Sequence, residues 1–165
     1  MITQKRLKEL LSYDKNTGIF VWIKNSNSNN SSKNRLGKTA GCNSAGYKLI
    51  LIDKRLYKAH RLAWLYEHGV FPEEDIDHVD GTKDNNAIDN LRVVSKAENS
   101  QNQRKARKDN KLGLLGVYFN KLTNTFRSRI MVKGKMIEIG SFSTAEEAYQ
   151  AYLIAKRNLH ITCTI

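Results

Sequence analysis

Asp77 and His78 stand side by side in this sequence, Asn90 follows twelve residues after the histidine, and Asn99 follows twenty-one residues after it. Hydrolysing a phosphodiester requires a base to activate water and a cation to neutralise the phosphate and the leaving oxygen. His78 is the only histidine between residues 71 and 103, and it can be the base. Asp77 and Asn99 offer hard oxygen ligands suited to Mg²⁺ or Mn²⁺. Asn90 is placed to hydrogen-bond the imidazole or its neighbouring backbone and so fix its orientation. Taken singly, each has an ordinary explanation, since a lone histidine is usually a surface or core residue and asparagine-rich loops are usually turns. Their joint occurrence carries the reading.

The charge pattern gives this constellation a setting. Lys and Arg outnumber Asp and Glu by 28 to 16, for a formal charge of +12, and the pI is near 9.8, the balance of a protein that meets a polyanion. Residues 1–70 carry 13 basic and 4 acidic side chains, residues 71–103 carry 3 and 8, and residues 104–165 carry 12 and 4. An acidic island thus sits between two basic flanks. A simple phosphate-binding module has no use for clustered carboxylates beside its ligand, whereas a nuclease needs some to hold a divalent cation. Solvated acidic loops on a basic ribosomal-type protein are the bland alternative.

Around the island the chain reads as α+β. Thr3 caps a helix in which Leu7, Leu10 and Leu11 share a face, ending near Tyr13, and a turn at 14–18 leads to a strand at 19–23. Residues 25–34 hold no apolar side chain and read as a mobile loop. Residues 46–52 and 55–58, joined by Asp53-Lys54, form a hairpin, and Ala59 to His68 a helix stopped by Gly69. Residues 76–79 and 91–94 form a second hairpin, and Ser95 with Glu98 makes a capping box for the next helix. Strict alternation would send Asp77 and His78 to opposite faces, so this strand must end or twist at the pair. Arg104 to Lys111 is a basic linker or an arm on a nucleic-acid backbone. Three short strands follow at 116–119, 126–132 and 136–139. The middle one sets Arg127, Arg129, Met131 and Lys133 on one face, and a helix from Ser143-Thr144 covers the other.

The Asp-His pair with its two spaced asparagines resembles the HNH (ββα-metal) nuclease motif, in the variant whose last letter is Asn. Residues 7–18, Gly46-Tyr47 and His60-Arg61-Leu62-Ala63-Trp64 are similar to the N-terminal half of phage and intron-encoded HNH homing endonucleases. Gly116-Val117, Ile139-Gly140-Ser141-Phe142, Thr144 to Ala148 and Ala151-Tyr152 resemble the Apetala/ethylene-response-factor DNA-binding domain. The resemblance implies an endonuclease domain over 1–103 with its metal motif at 76–103, a basic linker at 104–113 and an Apetala-like domain over 114–165. It makes His78 the general base, Asn90 its support, and Asp77 and Asn99 the ligands of one Mg²⁺ or Mn²⁺. It also implies that the C-terminal sheet lies in the major groove of double-stranded DNA. Arg127, Arg129 and Lys133 would face the DNA with Tyr118, Asn120 and Met131 beside them, and Arg61, Arg104, Lys105, Arg107 and Lys108 would add contacts. Where the plant domains present Arg and Trp on the third strand, this chain has Met136 and Glu138, so the resemblance does not carry over which bases are read.

These expectations add up to a metal-dependent, site-directed endonuclease, a monomer or weak dimer that nicks one strand per active site and leaves 5′-phosphate and 3′-hydroxyl ends. The alternatives are a non-catalytic DNA-binding regulator on a lapsed HNH scaffold and a basic RNA-binding structural protein. With no aliphatic run beyond Leu49 to Ile52 and no signal peptide, an intracellular, phage-encoded or cytoplasmic protein off the membrane is expected. His60 is assigned a structural or backbone-contacting role, His68 and His160 local helix electrostatics or solvent, and Trp22, Trp64, Tyr149 and Tyr152 the core. Cys42 and Cys163, 121 positions apart, are taken as reduced.

Overall fold

The computed structural model describes residues 1–24, 35–103, 105–106 and 109–160. The expected loop at 25–34, the cations Arg104, Arg107 and Lys108, and Cys163 lie outside the described residues. The fold is mixed α+β, with four helices and ten strands in four small antiparallel sheets among those residues. It groups into two compact units, Met1–Val94 and Ser95–Ile165. None of the described helices is long and apolar enough to cross a membrane.

In the first unit, helix α1 (Gln4–Leu10) begins at Thr3, whose side chain accepts the Arg6 N–H. It ends at Leu10, three residues before the expected stop at Tyr13, because Leu11–Asp14 is strand β1, paired with β2 (Ile19–Trp22). Leu11 is buried in either conformation, so its place on the apolar face could not separate them. The strand wins through its pairing, and the Leu10 carbonyl at the helix end is met by Ile23 N at 3.0 Å and Lys24 N at 3.3 Å. Gly18 closes the β1–β2 turn at φ 72° and lies flush against the Asn86–Ala87 backbone, where any Cβ would collide.

A short strand missed in the sequence, β3 (Cys42–Ser44), is exposed along its length and gives no apolar signal. It pairs with β4 (Tyr47–Ile52), which pairs with β5 (Arg55–Lys58). Asp53 and Lys54 both have positive φ, 45° and 64°, as a two-residue hairpin turn with the strands' own twist requires. Helix α2 (Ala59–His68) follows directly, capped at Gly69. Its Ala59, Leu62, Ala63 and Leu65 pack with Leu7, Leu10, Phe20, Trp22, Ile50 and Ile52 into one core, which Ile76 and Leu91 extend. That shared core fixes α2 and the hairpin of β6 (Asp75–His78) and β7 (Leu91–Val94) on one framework.

In the second unit, α3 (Lys96–Gln101) starts at Ser95 with the expected capping box to Glu98. Strands β8 (Val117–Asn120), β9 (Thr125–Val132) and β10 (Lys135–Phe142) form a sheet in the order β10-β9-β8, with a register shift between Glu138 and Gly140. Helix α4 (Ala145–Leu159) packs on all three, burying Ala148, Tyr152 and Lys156. Gly116, at φ 71°, lets the chain pass beneath the Tyr152 ring, where any Cβ would collide. His160, expected to face solvent or the helix end, is instead buried, and its Nε2 lies 2.9 Å from the Met131 carbonyl. This contact joins the end of α4 to β9, which a count along the helix could not anticipate.

Candidate active site

The β6–β7 hairpin sets the first part of the site by register, with Asp77 opposite Arg92 and His78 opposite Leu91. Burial alternates along β6, so Ile76 and His78 turn inward while Asp75 and Asp77 are half-exposed. The strand does end at His78, as the sequence requires, yet the alternation persists through the pair. Asp77 Oδ2 accepts both Arg92 Nη2, at 2.8 Å, and Arg92 Nε, at 3.1 Å. Both of these bonds land on Oδ2.

Asn90 ties off the chain immediately after His78. Its carbonyl accepts Val79 N at 2.9 Å, its Oδ1 accepts Asp80 N at 3.0 Å, and its Nδ2 donates to Asp80 Oδ1 and Asn85 O. Of the two supports expected from Asn90, these bonds supply the one to the neighbouring backbone. Desolvation is the largest influence on the Asp80 carboxyl and raises its pKa, but bonds from Asn85, Thr82 and Asn90 outweigh it and hold the group below the usual carboxylate value.

Behind His78 is a buried aromatic cluster. His78 is 5% exposed and its ring meets the equally buried His60 edge to face, with centroids 5.1 Å apart and planes at 89°. Tyr47 lies 5.4 Å from His60 and 6.2 Å from His78, and Lys58 and Lys83 place their Nζ atoms 4.7 and 4.9 Å from the Tyr47 centroid. Burial, followed by the His78, Lys58 and Arg61 charges, pushes the His60 pKa down to about 3. Burial also lowers His78, against the opposing pull of Asn86, Asp77, Asp80 and Asp84. Both shifts favour the neutral imidazole, the form a proton acceptor requires.

Asn99, the other expected metal ligand, lies exposed on α3 in the second unit, where its backbone N–H bonds Ser95 O at 2.9 Å. No three His, Cys, Asp or Glu side chains converge as a metal cluster among the described residues. The expected pair contains a single carboxylate, so it stands outside that pattern. Its donors are all oxygen, a set that suits Mg²⁺ or Mn²⁺, ions that keep several waters and use substrate phosphate as a further ligand.

The expected DNA-facing residues have varied surroundings. Arg129 and Lys133 are exposed and Arg127 is half-exposed. Arg129 stacks on Tyr118 at 4.6 Å, Tyr118 donates to Glu138 at 3.0 Å, and Asn120 Oδ1 caps the next turn by accepting Leu122 N. Arg61 donates to the Pro72 carbonyl at 3.0 Å and covers the Phe71 ring, so part of its guanidinium serves its own chain. Lys105 is exposed. Sequence reasoning did not assign Tyr47, Lys58, Lys83 or Asn86 to the site. Asn86 stood inside the asparagine-rich loop, but spacing could not tell which of its neighbours turns inward.

The HNH endonuclease family model matches residues 57–101, a stretch that runs from β5 through α3 and includes His60, Asp77, His78, Asn86, Asn90 and Asn99. No solved structure matches the chain. Protein 3.8 of Escherichia phage T7 is 35% identical over 111 residues, which cover 65% of this chain and 90% of that protein. Extensive coverage of that relative, together with the HNH segment built around the buried His78, makes this chain a member of the phage T7 Protein 3.8 family that carries an HNH endonuclease domain.

Proposed function

We propose that the chain is a metal-dependent DNA endonuclease of the homing type, with His78 as its general base. The observation that carries this reading is the buried His78 held at the end of β6 within the HNH-matched segment. His78 takes the proton of the attacking water, and Asn90 holds the backbone on its C-terminal side so that the ring keeps its place. Asp77 and Asn99 would hold one Mg²⁺ or Mn²⁺, which neutralises charge on the phosphate and the leaving oxygen when bound. The functional domains are the endonuclease at 1–103, the basic linker at 104–113 and an Apetala-like DNA-binding domain at 114–165. In the last, Arg127, Arg129 and Lys133 face the duplex with Tyr118 and Asn120. Arg61, Arg104, Lys105, Arg107 and Lys108 contribute phosphate contacts. One base per chain implies that a monomer nicks one strand and that a double-strand break needs a second binding event or a dimer.

A second reading, a DNA-binding regulator on a lapsed scaffold, draws support from the Arg92 side chain on Asp77 Oδ2. Supercoiled plasmid carrying the target, incubated with and without Mg²⁺, distinguishes the two. The nuclease reading expects open circles that form only with the cation and precede linear molecules. DNA retarded in a gel but never nicked, at any concentration of Mg²⁺ or Mn²⁺, would favour the regulator.

A further inference from the structure

The open face of the C-terminal sheet carries more than cations. Beside Arg127, Arg129 and Met131 of β9 stand two residues of β10, Glu138 opposite Arg129 and Met136 opposite Met131. Glu138 is exposed, and Met131 and Met136 are 47% and 49% exposed. A surface that only grips phosphates has no use for a carboxylate among its arginines, because that charge repels the backbone it should hold. Base edges differ, since the major groove presents amino-group donors and thymine methyl groups, which complement a carboxylate and apolar side chains. We propose that Glu138 is a specificity-determining residue that accepts a hydrogen bond from the N4 amino group of a cytosine in the major groove, with Tyr118 as its positioning residue. This rests on the reading of the sheet as the DNA-binding face.

The carboxylate is held in place from across the sheet. Tyr118 lies on β8 and Glu138 on β10, the strands that flank β9, so the tyrosine reaches over the middle strand to donate its hydroxyl hydrogen to Glu138 Oε1 at 3.0 Å. The Arg129 guanidinium lies 4.6 Å from the centroid of that same ring. Glu138 and Arg129 are cross-strand partners, a placement that sets Cβ atoms about 5 Å apart, yet no ion pair joins them among the described residues. The arginine is taken up by the ring rather than by the acid. A carboxylate has about four lone-pair sites on two oxygens, so one bond from Tyr118 orients it and leaves it an acceptor. The register shift that begins at Glu138 is of the kind that re-aims a side chain. Adenine N6 is the other amino donor in the groove, but it stands beside the N7 acceptor and suits an amide, whereas cytosine N4 suits a group that only accepts.

The full-length protein can be used to select duplexes from a random-sequence library without divalent cation, so that no strand is cut. The wild type should enrich a motif with one position held as cytosine, and changing that base in the selected duplex should weaken binding roughly 10- to 100-fold in competition. Glu138→Gln should move the preference at that position to adenine, because an amide donates to N7 and accepts from N6. Glu138→Ala should lose the preference there and keep the rest of the motif. Tyr118→Phe keeps the ring beneath Arg129 and drops the hydroxyl, so it should narrow the discrimination at the same position and no other. A motif unchanged in both Glu138 variants, or a Glu138→Ala protein that binds every sequence tighter by the same factor, would overturn the proposal and leave the sheet as the DNA-binding face. A motif and affinity both indifferent to Arg127→Ala with Arg129→Ala would instead remove the sheet from the DNA, and the proposal with it.

Discussion

Replacing His60 with phenylalanine should flatten the acid side of the protein's stability profile. The ring at this position is buried against His78 and Tyr47, and its pKa is lowered from 6.5 to about 3 by burial first and then by the charges of His78, Lys58 and Arg61. Below pH 6.5 the unfolded chain takes up a proton at this histidine that the folded chain refuses. Stability from this group is therefore fully present above pH 6.5 and declines as pH falls toward 3. From those two values the linkage relation gives a loss of about 2 kcal/mol between pH 7 and pH 5, a range above most carboxylate titration. Phenylalanine keeps an aromatic ring in contact with His78 and cannot be protonated, so the variant should lack that loss. Urea denaturation of both proteins at pH 7, 6 and 5 measures the difference. Parallel pH profiles for wild type and His60→Phe would refute the claim that His60 is held neutral by its surroundings.

Three further outcomes follow from the same geometry. Arg127→Ala with Arg129→Ala should weaken DNA binding across sequences and reduce the salt slope, by roughly 0.9 for each lost phosphate contact; an unchanged slope in a binding titration from low to high salt would place the DNA elsewhere. Asn99→His should shift the preferred cation toward Zn²⁺, Ni²⁺ or Co²⁺, because imidazole replaces an oxygen donor, and an unaltered ion profile in cleavage assays would remove Asn99 from the ligand set. Gly116→Ala should destabilise the second unit by about 2 kcal/mol or more, since φ is 71° and the Cβ meets the Tyr152 ring. A thermal melt that matches the wild type would show that the ring can yield.

The sequence exposed those features whose cause is local. Ser95 and Glu98 announce the start of α3, Asp53-Lys54 the β4–β5 turn and Gly69 the end of α2, because each is fixed by bonds or dihedrals within a few residues. Where local and distant causes conflict, pattern reading fails. Leu11 continues the apolar face of α1, yet its pairing with Trp22 draws it into a strand, and exposed β3 exists only because β4 lies beside it. The site divides in the same way. Asp77, His78, Asn90 and Asn99 could be picked out because they lie in one stretch with recognisable spacing. The approach of His60 to His78, and the inward turn of Asn86 beneath the β1–β2 hairpin, depend on elements far apart in sequence. The sequence made His60 a structural or backbone-contacting histidine, and only its 5.1 Å distance from His78 brings it into the candidate site.

The account stands most directly on the cleavage of one plasmid by two proteins. Wild type and His78→Ala are matched for DNA binding by gel retardation and then given Mg²⁺ or Mn²⁺ on supercoiled plasmid carrying the target. A general base contributes roughly 10²- to 10⁴-fold to rate and is not required for phosphate contacts. The wild type should therefore accumulate open circles while His78→Ala, bound to the same extent within a few-fold, leaves the plasmid supercoiled over the same interval. Nicking by His78→Ala at the wild-type rate, or no metal-dependent nicking by the wild type, would contradict the central claim.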